Sequence, residues 1–192
     1  MNKPFLKTPP QEALIPLQLA RHHLRIEGED EDSLIETYVV AVESYLDGWS
    51  GYLGRCLLVQ EWSQTFDRFT PEIRLPFPDV QTVTVRYLDG HGDFQTLAPE
   101  RVQLREDARG CFLIPAKGSC WPSLPATPEC VQVDMIVGYG SPDDVPAFVK
   151  LAALLLLGHY YENREAVTVG VTSAPMPISV NALLNGYRVR RL

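Results

Sequence analysis

Two short stretches place histidine beside carboxylate at helical spacing. His22, His23 and Glu27 put an imidazole and a carboxylate at i and i+4, an offset that presents two metal ligands on one helix face. Adjacent histidines project in different directions, however, and no third ligand is indicated, so a solvated surface cluster is the simpler reading. His159, Glu162 and Glu165 recur at i, i+3 and i+6, and carboxylates near a histidine can do acid–base work. A helix end making salt bridges with Arg164 explains the same residues more simply. Cys56, Cys111, Cys120 and Cys130 are widely spaced without a C-x-x-C pair, which argues for free thiols in a reducing cytosol over a zinc site. Gly138-Tyr139-Gly140 lacks the further glycines and the strand-to-helix setting of a dinucleotide loop. No nucleophile-elbow or zincin pattern occurs. No catalytic residue, cofactor or metal ligand is assigned.

The elements that would position any site fall into three zones. Residues 1–15 read as an extended arm, with Pro4, Pro9 and Pro10 breaking regular structure. A short helix follows, with Pro16 in its first turn and Leu17, Ala20 and Leu24 on one face. After an acidic connection, Leu34, Ile35, Tyr38, Val39, Val42, Tyr45, Leu46 and Trp49 recur at steps of three and four. That is one apolar stripe of a long helix. Ser33 with Glu36 reads as its capping box, and Gly51 and Gly54 as its end. N-terminal helices thus occupy 16–55.

Across 56–140 the period shortens to two. Trp62, Gln64 and Phe66 alternate with Ser63 and Thr65; Val83, Val85 and Tyr87 with Thr84 and Arg86; Val131, Val133, Met135 and Val137 with Gln132 and Asp134. Turn residues separate these runs, predicting a meandering antiparallel sheet of about five strands. C-terminal helices over 141–186 are expected to pack with those of 16–55. Asp143 and Asp144 would cap the first, with Pro146 inside its first turn. Phe148 to Leu157 is apolar nearly all round, as in a helix buried on most sides. A Gly/Thr/Ser/Pro-rich loop from Glu165 to Pro177 leads to a short helix over Ile178 to Leu184. A basic tail over 187–192 closes the chain. The class predicted is α+β: a helical bundle from the two ends with an inserted antiparallel sheet region.

Bulk properties limit the partners. The 192 residues carry a net charge of −7, and Arg188, Arg190 and Arg191 leave −10 on the remainder. An acidic body argues against wrapping nucleic acid. The opening residues lack an apolar core segment, so secretion is not expected. The longest apolar run, Leu151 to Leu157, is far short of the ~20 residues of a membrane span. A soluble protein made in the cytoplasm is expected, structural or interaction-forming rather than enzymatic.

Two stretches carry a resemblance. Leu19-Ala20-Arg21-His22-His23-Leu24-Arg25-Ile26, followed by Glu29-Asp30-Glu31-Asp32-Ser33-Leu34-Ile35, resembles the opening of phage head–tail connector proteins. There a short helix ending Leu-Arg-Ile/Val leads through an acidic run into a long helix. His159-Tyr160-Tyr161-Glu162-Asn163-Arg164-Glu165-Ala166 resembles the family's signature at the end of its hydrophobic helix. Ala174-Pro175-Met176-Pro177, then Ala182-Leu183-Leu184 before Tyr187-Arg188-Val189, resemble its closing segment. Shorter members are almost wholly helical, so the strand-rich middle looks like the elaboration of a longer branch. The Arg190-Arg191 ending has no counterpart in the family pattern.

The resemblance implies a head-to-tail adaptor of a tailed phage or phage-like particle. Such a protein leaves the host cytoplasm for the virion head–tail interface and forms a ring, of twelve subunits in this family, beneath the portal protein. It extends the channel through which double-stranded DNA passes without sequence-specific binding, and it offers a surface to the next neck or tail-completion protein. In that role Leu34, Tyr38, Val42, Tyr45, Trp49, Leu154, Leu155, Leu156 and Leu157 are candidates for core or subunit packing. Glu27, Glu29, Asp30, Glu31 and Asp32 are candidates for channel lining, since acidic walls repel phosphate, or for an ordinary solvated connection. Tyr187, Arg188, Val189, Arg190, Arg191 and Leu192 follow the Gly186 stop and are expected to leave the domain as a portal-binding arm. Two other readings stay open: a neck or tail-completion protein one tier further down, and a metal-dependent hydrolase using His159 and Glu162.

Overall fold

Residues 2–163 and 177–189 are described by a computed structural model, and they divide between two units. One comprises the chain up to Gln11 together with Val59–Tyr139; the other comprises Glu12–Leu58 and the chain from Gly140 onward. A strand-rich segment thus interrupts a helical one in chain order. Among the described residues are eight strands, all paired antiparallel, and four α-helices. The class is α+β with an inserted sheet region, as the change of period predicts.

In the strand-rich unit the strands are β1 (Phe5–Thr8), β2 (Gln60–Phe66), β3 (Ile73–Arg74), β4 (Val80–Leu88), β5 (Phe94–Thr96), β6 (Val102–Asp107), β7 (Gly110–Pro115) and β8 (Val131–Val137). They form two sheets, ordered β1-β2-β8-β4-β5 and β3-β7-β6. This differs from the single meander of about five strands. The strand last in sequence, β8, is central: Val133 lies opposite Gln64 on one side and Val85 on the other. Its alternation sends Val131, Val133, Met135 and Val137 into the core with Trp62, Val85 and Phe77. The Trp62 and Phe77 rings lie 4.9 Å apart.

The other face of the sheet is polar and closes a charge network. Asp134 accepts from Arg86 at 2.7 Å and from the Gln132 amide at 3.1 Å, with the Lys7 ammonium at 3.3 Å. Lys7 also donates to Glu61 at 2.6 Å. Burial pushes the Asp134 carboxyl up, but hydrogen bonds from Ser63 and Lys7 and the charge of Arg86 outweigh it and hold the group below the usual carboxylate range. Lys7 belongs to β1, so the expectation of an irregular arm is corrected here. Pro4 precedes β1, and Pro9 and Pro10 end it. At a sheet edge, prolines bounding so short a strand break no ladder bond.

The helical unit contains α1 (Leu17–Leu24), α2 (Asp32–Leu46), α3 (Ala147–Glu162) and α4 (Ile178–Leu184). Its core combines Ala20 of α1, Ile35, Val39, Val42 and Leu46 of α2, Val149, Ala152, Ala153, Leu156 and Leu157 of α3, and Val180 and Leu184 of α4. Leu14 and Ile15, placed in the arm by sequence, are buried here too. The Ile15 N–H donates to Glu43 at 3.0 Å, fastening the approach to α1 onto α2. Burial raises the Glu43 carboxyl above its ordinary range against the pull of that bond.

Three expected helix ends are placed differently. The helix α2 starts at Asp32 behind Glu31, with no side-chain cap, so Ser33 and Glu36 lie inside it and form no capping box. Asp32 is instead held by Arg21, and the N-cap, Glu31, lies two residues before Ser33. The helix stops at Leu46, before Trp49 and Gly51; the Asp47 carboxylate turns to accept the Leu57 N–H at 2.6 Å. Ahead of α3, Pro142–Asp144 form a 3-10 turn closed by a capping box between Ser141 and Asp144, and Pro146 is the N-cap of α3. Aspartates two and three residues before a proline N-cap are too early to cap the helix itself.

Candidate functional site

The connection from α1 to α2 contains the acidic run. Arg25, in left-handed backbone at φ 56°, ends α1; its own N–H bonds the His22 carbonyl at 3.2 Å, and the Ile26 N–H bonds the Arg21 carbonyl at 3.1 Å. This is a Schellman ending with arginine where glycine is usual. The Arg21 guanidinium then grips both oxygens of Asp32, its Nε at 2.5 Å. The Tyr161 hydroxyl of α3 donates to Glu31. Two of the five acidic candidates are thus taken up in fixing the connection. Glu27, Glu29 and Asp30 remain exposed.

The packing candidates separate by face. Val42, Leu156 and Leu157 are core residues. Leu34, Trp49 and Leu154 are half-buried. Tyr38 is half-buried, edge-on to Tyr161 with ring centres 6.3 Å apart. Tyr45 is exposed and stacks on Tyr52 at 5.9 Å. Leu155 lies on the exposed side of α3 with Phe148 and Leu151. The last two were not singled out from sequence, although their i, i+3, i+7 spacing with Leu155 would have shown one stripe.

The histidines do not converge on a shared centre. His22 is exposed, while His23 turns toward Gly158 of α3. His159 contacts the Asn163 side chain at 3.2 Å, and Glu162 is exposed. Glu165 lies outside the described residues. Among the described residues no group of three or more His, Cys, Asp or Glu is placed to hold a metal ion. Cys56, Cys111 and Cys130 are buried thiols and Cys120 is an exposed one, none of them in a disulfide. Among the described residues no helix is long and apolar enough to cross a membrane.

The start of the C-terminal tail folds back, against the expectation that it departs after Gly186. Tyr187 N–H bonds the Leu184 carbonyl at 2.9 Å, and Val189 N–H bonds the Leu53 carbonyl at 2.8 Å. Arg188 lies over the Tyr52 ring, 4.7 Å from its centre, while the Tyr52 hydroxyl donates to Asn181 of α4 at 2.7 Å. Backbone pairing and a cation–π contact outweigh the freedom that a residue after glycine would keep. Arg190, Arg191 and Leu192 lie outside the described residues.

No family model matches the chain, and no curated protein matches it. Solved structures do match it over their length. A chain in the neck of an empty GTA particle, computed with C6 symmetry, is 26% identical at a TM-score of 0.78, covering 100% of this chain and 97% of that one. A chain in the virion of a native gene transfer agent particle is 25% identical at a TM-score of 0.70, covering 98% and 96%. A chain in the neck of a native GTA particle with C12 symmetry is 24% identical at 0.71, covering 100% and 97%, and shares the fold.

Proposed function

We propose that this chain is a structural component of the neck of a phage-like particle, and within the neck the adaptor that rings the channel beneath the portal. The observation that carries the reading is the end-to-end likeness to a neck chain, at 26% identity and a TM-score of 0.78 over 100% of this chain. A match that includes both the helical segments and the strand-rich insertion is harder to reach by chance than one shared helix pair. The role proposed is non-enzymatic, exercised in the virion after folding in the cytoplasm of the producing cell.

Charge supports the conduit role. The helical unit has thirteen Asp or Glu against eight Lys or Arg. Glu27, Glu29 and Asp30 are the exposed members of the acidic run, Glu29 3.9 Å from Arg21, and are the ones to face passing DNA, where like charge prevents gripping. The basic stretch Arg188, Arg190 and Arg191 is the proposed contact with the portal, through an acidic surface and hence salt-sensitive.

Since Tyr187 to Val189 are anchored on the helical unit, deleting the tail would disturb the fold along with any docking. The cleaner test replaces Arg190 and Arg191 together by Ala, leaving Arg188 on the Tyr52 ring, and measures binding to isolated portal at low and high salt. Weaker binding with a reduced salt dependence is expected. Unchanged affinity at both salts removes the tail from the contact. If even the unaltered protein binds portal only when another neck protein is present, it occupies the tier below.

A further inference from the structure

The two long helices of the helical unit turn uncharged faces outward. At about 100° per residue, Phe148, Leu151 and Leu155 share the side of α3 opposite its buried Ala153 and Leu157; they are 57%, 42% and 37% exposed. On α2 the side opposite Ile35, Val39 and Val42 presents Ser33, Thr37, Val40, Ala41 and Ser44, all exposed, with Val40 at 61%. Water-facing helix surfaces ordinarily carry Lys, Arg, Glu and Asp. Here Glu36 only borders the α2 face and Glu162 only ends the α3 stripe, in a unit rich in acid elsewhere.

The two faces differ in relief. The α3 stripe is a row of large apolar side chains, and the α2 face is a strip of small ones over which a helix can approach closely. A contact between identical faces has no need of such a pair. A contact that repeats around a rotation axis does, because it joins two different surfaces, one on each neighbour, and closes into a ring. The necks that contain the similar chains were computed with C6 and C12 symmetry. We infer that the α3 stripe of one copy docks on the α2 face of the next copy, head to tail around the ring. The inference rests on the reading of the chain as a neck component and adds to it the surfaces that join its subunits.

Disulfide trapping in whole particles tests it, since a disulfide forms only when Cα atoms come within roughly 7 Å. In a Cys120→Ser background, Val40→Cys and Leu151→Cys are introduced singly and together, and purified particles are oxidised. The double variant should give a reductant-sensitive ladder of dimers, trimers and larger species, and neither single variant should give one. A chain incorporated at the normal level without a ladder overturns the inference. So does a dimer from Leu151→Cys alone, a link within one chain, or a link to a different particle protein. All of these leave the neck reading intact. Absence of the unmodified chain from particles instead fails the neck reading and takes the inference with it. As a second variant, Leu151→Lys should keep the wild-type melting temperature and lower incorporation at least tenfold; normal incorporation overturns the proposed contact.

Discussion

Truncating the leucines of α3 one at a time should separate its two sides by stability. Leu157 is 0% exposed, whereas Leu155 is 37% exposed. Leu→Ala removes three carbons, worth about 2.4 kcal/mol of transfer free energy at ~0.8 kcal/mol per methylene. At Leu157, which is fully buried, the void is enclosed by core residues that relax only partly, so Leu157→Ala should cost about 3–4 kcal/mol. At Leu155 about two-thirds of the transfer term applies and solvent fills the space. With the small gain in helix propensity, Leu155→Ala should cost about 1 kcal/mol. Urea unfolding followed by the helical circular dichroism signal measures both, and Leu156→Ala should match Leu157→Ala. In melting temperature the gap is roughly 5–10 °C for a chain of this size. Equal losses at Leu155 and Leu157, or no loss at either, would refute the assignment of buried and outward faces.

Other outcomes follow from single sites. The folded-state pKa of Asp134 is depressed, so its contribution is complete above the unfolded carboxylate pKa near ~4 and is lost as pH falls through the lower folded value. Asp134→Asn should therefore cost about 1–2 kcal/mol near neutrality, a gap to wild type that closes below about pH 4; a gap constant down to pH 2.5 contradicts the network with Arg86 and Lys7. Arg25→Gly should stabilise by about 1 kcal/mol, because Arg25 holds φ 56° where glycine meets no side-chain penalty; denaturant midpoints decide it, and a lower midpoint contradicts the Schellman ending.

The parts legible in sequence were those set by periodicity. The 3.6-residue stripe from Leu34 to Leu46 and the alternation from Val131 to Val137 record which side of an element meets a core. What remained hidden depends on partners distant in sequence. Nothing near Phe5 announces that it pairs with Ser63 of β2, and the central place of β8 follows from pairings as far apart in sequence as Gln60 with Val137 and Tyr87 with Val131. The α2 start departs from the Ser33 cap because Asp32 answers to Arg21 across the connection, a contact local capping rules do not contain. The start of the tail departs from the expected arm for the same reason: Val189 is fixed by Leu53, and Arg188 by the Tyr52 ring. Among the candidate residues, the acidic run was recognisable as a group. Its division into anchored Glu31 and Asp32 and exposed Glu27, Glu29 and Asp30 needed the fold.

The most direct measurement is an electron cryomicroscopy reconstruction of the neck of the particles that contain this chain. A closed ring of copies in contact with the portal is expected, with the exposed acidic residues Glu27, Glu29 and Asp30 toward the channel. Twelve copies are expected in that ring. A single copy, or a neck without this chain, would contradict the proposed role.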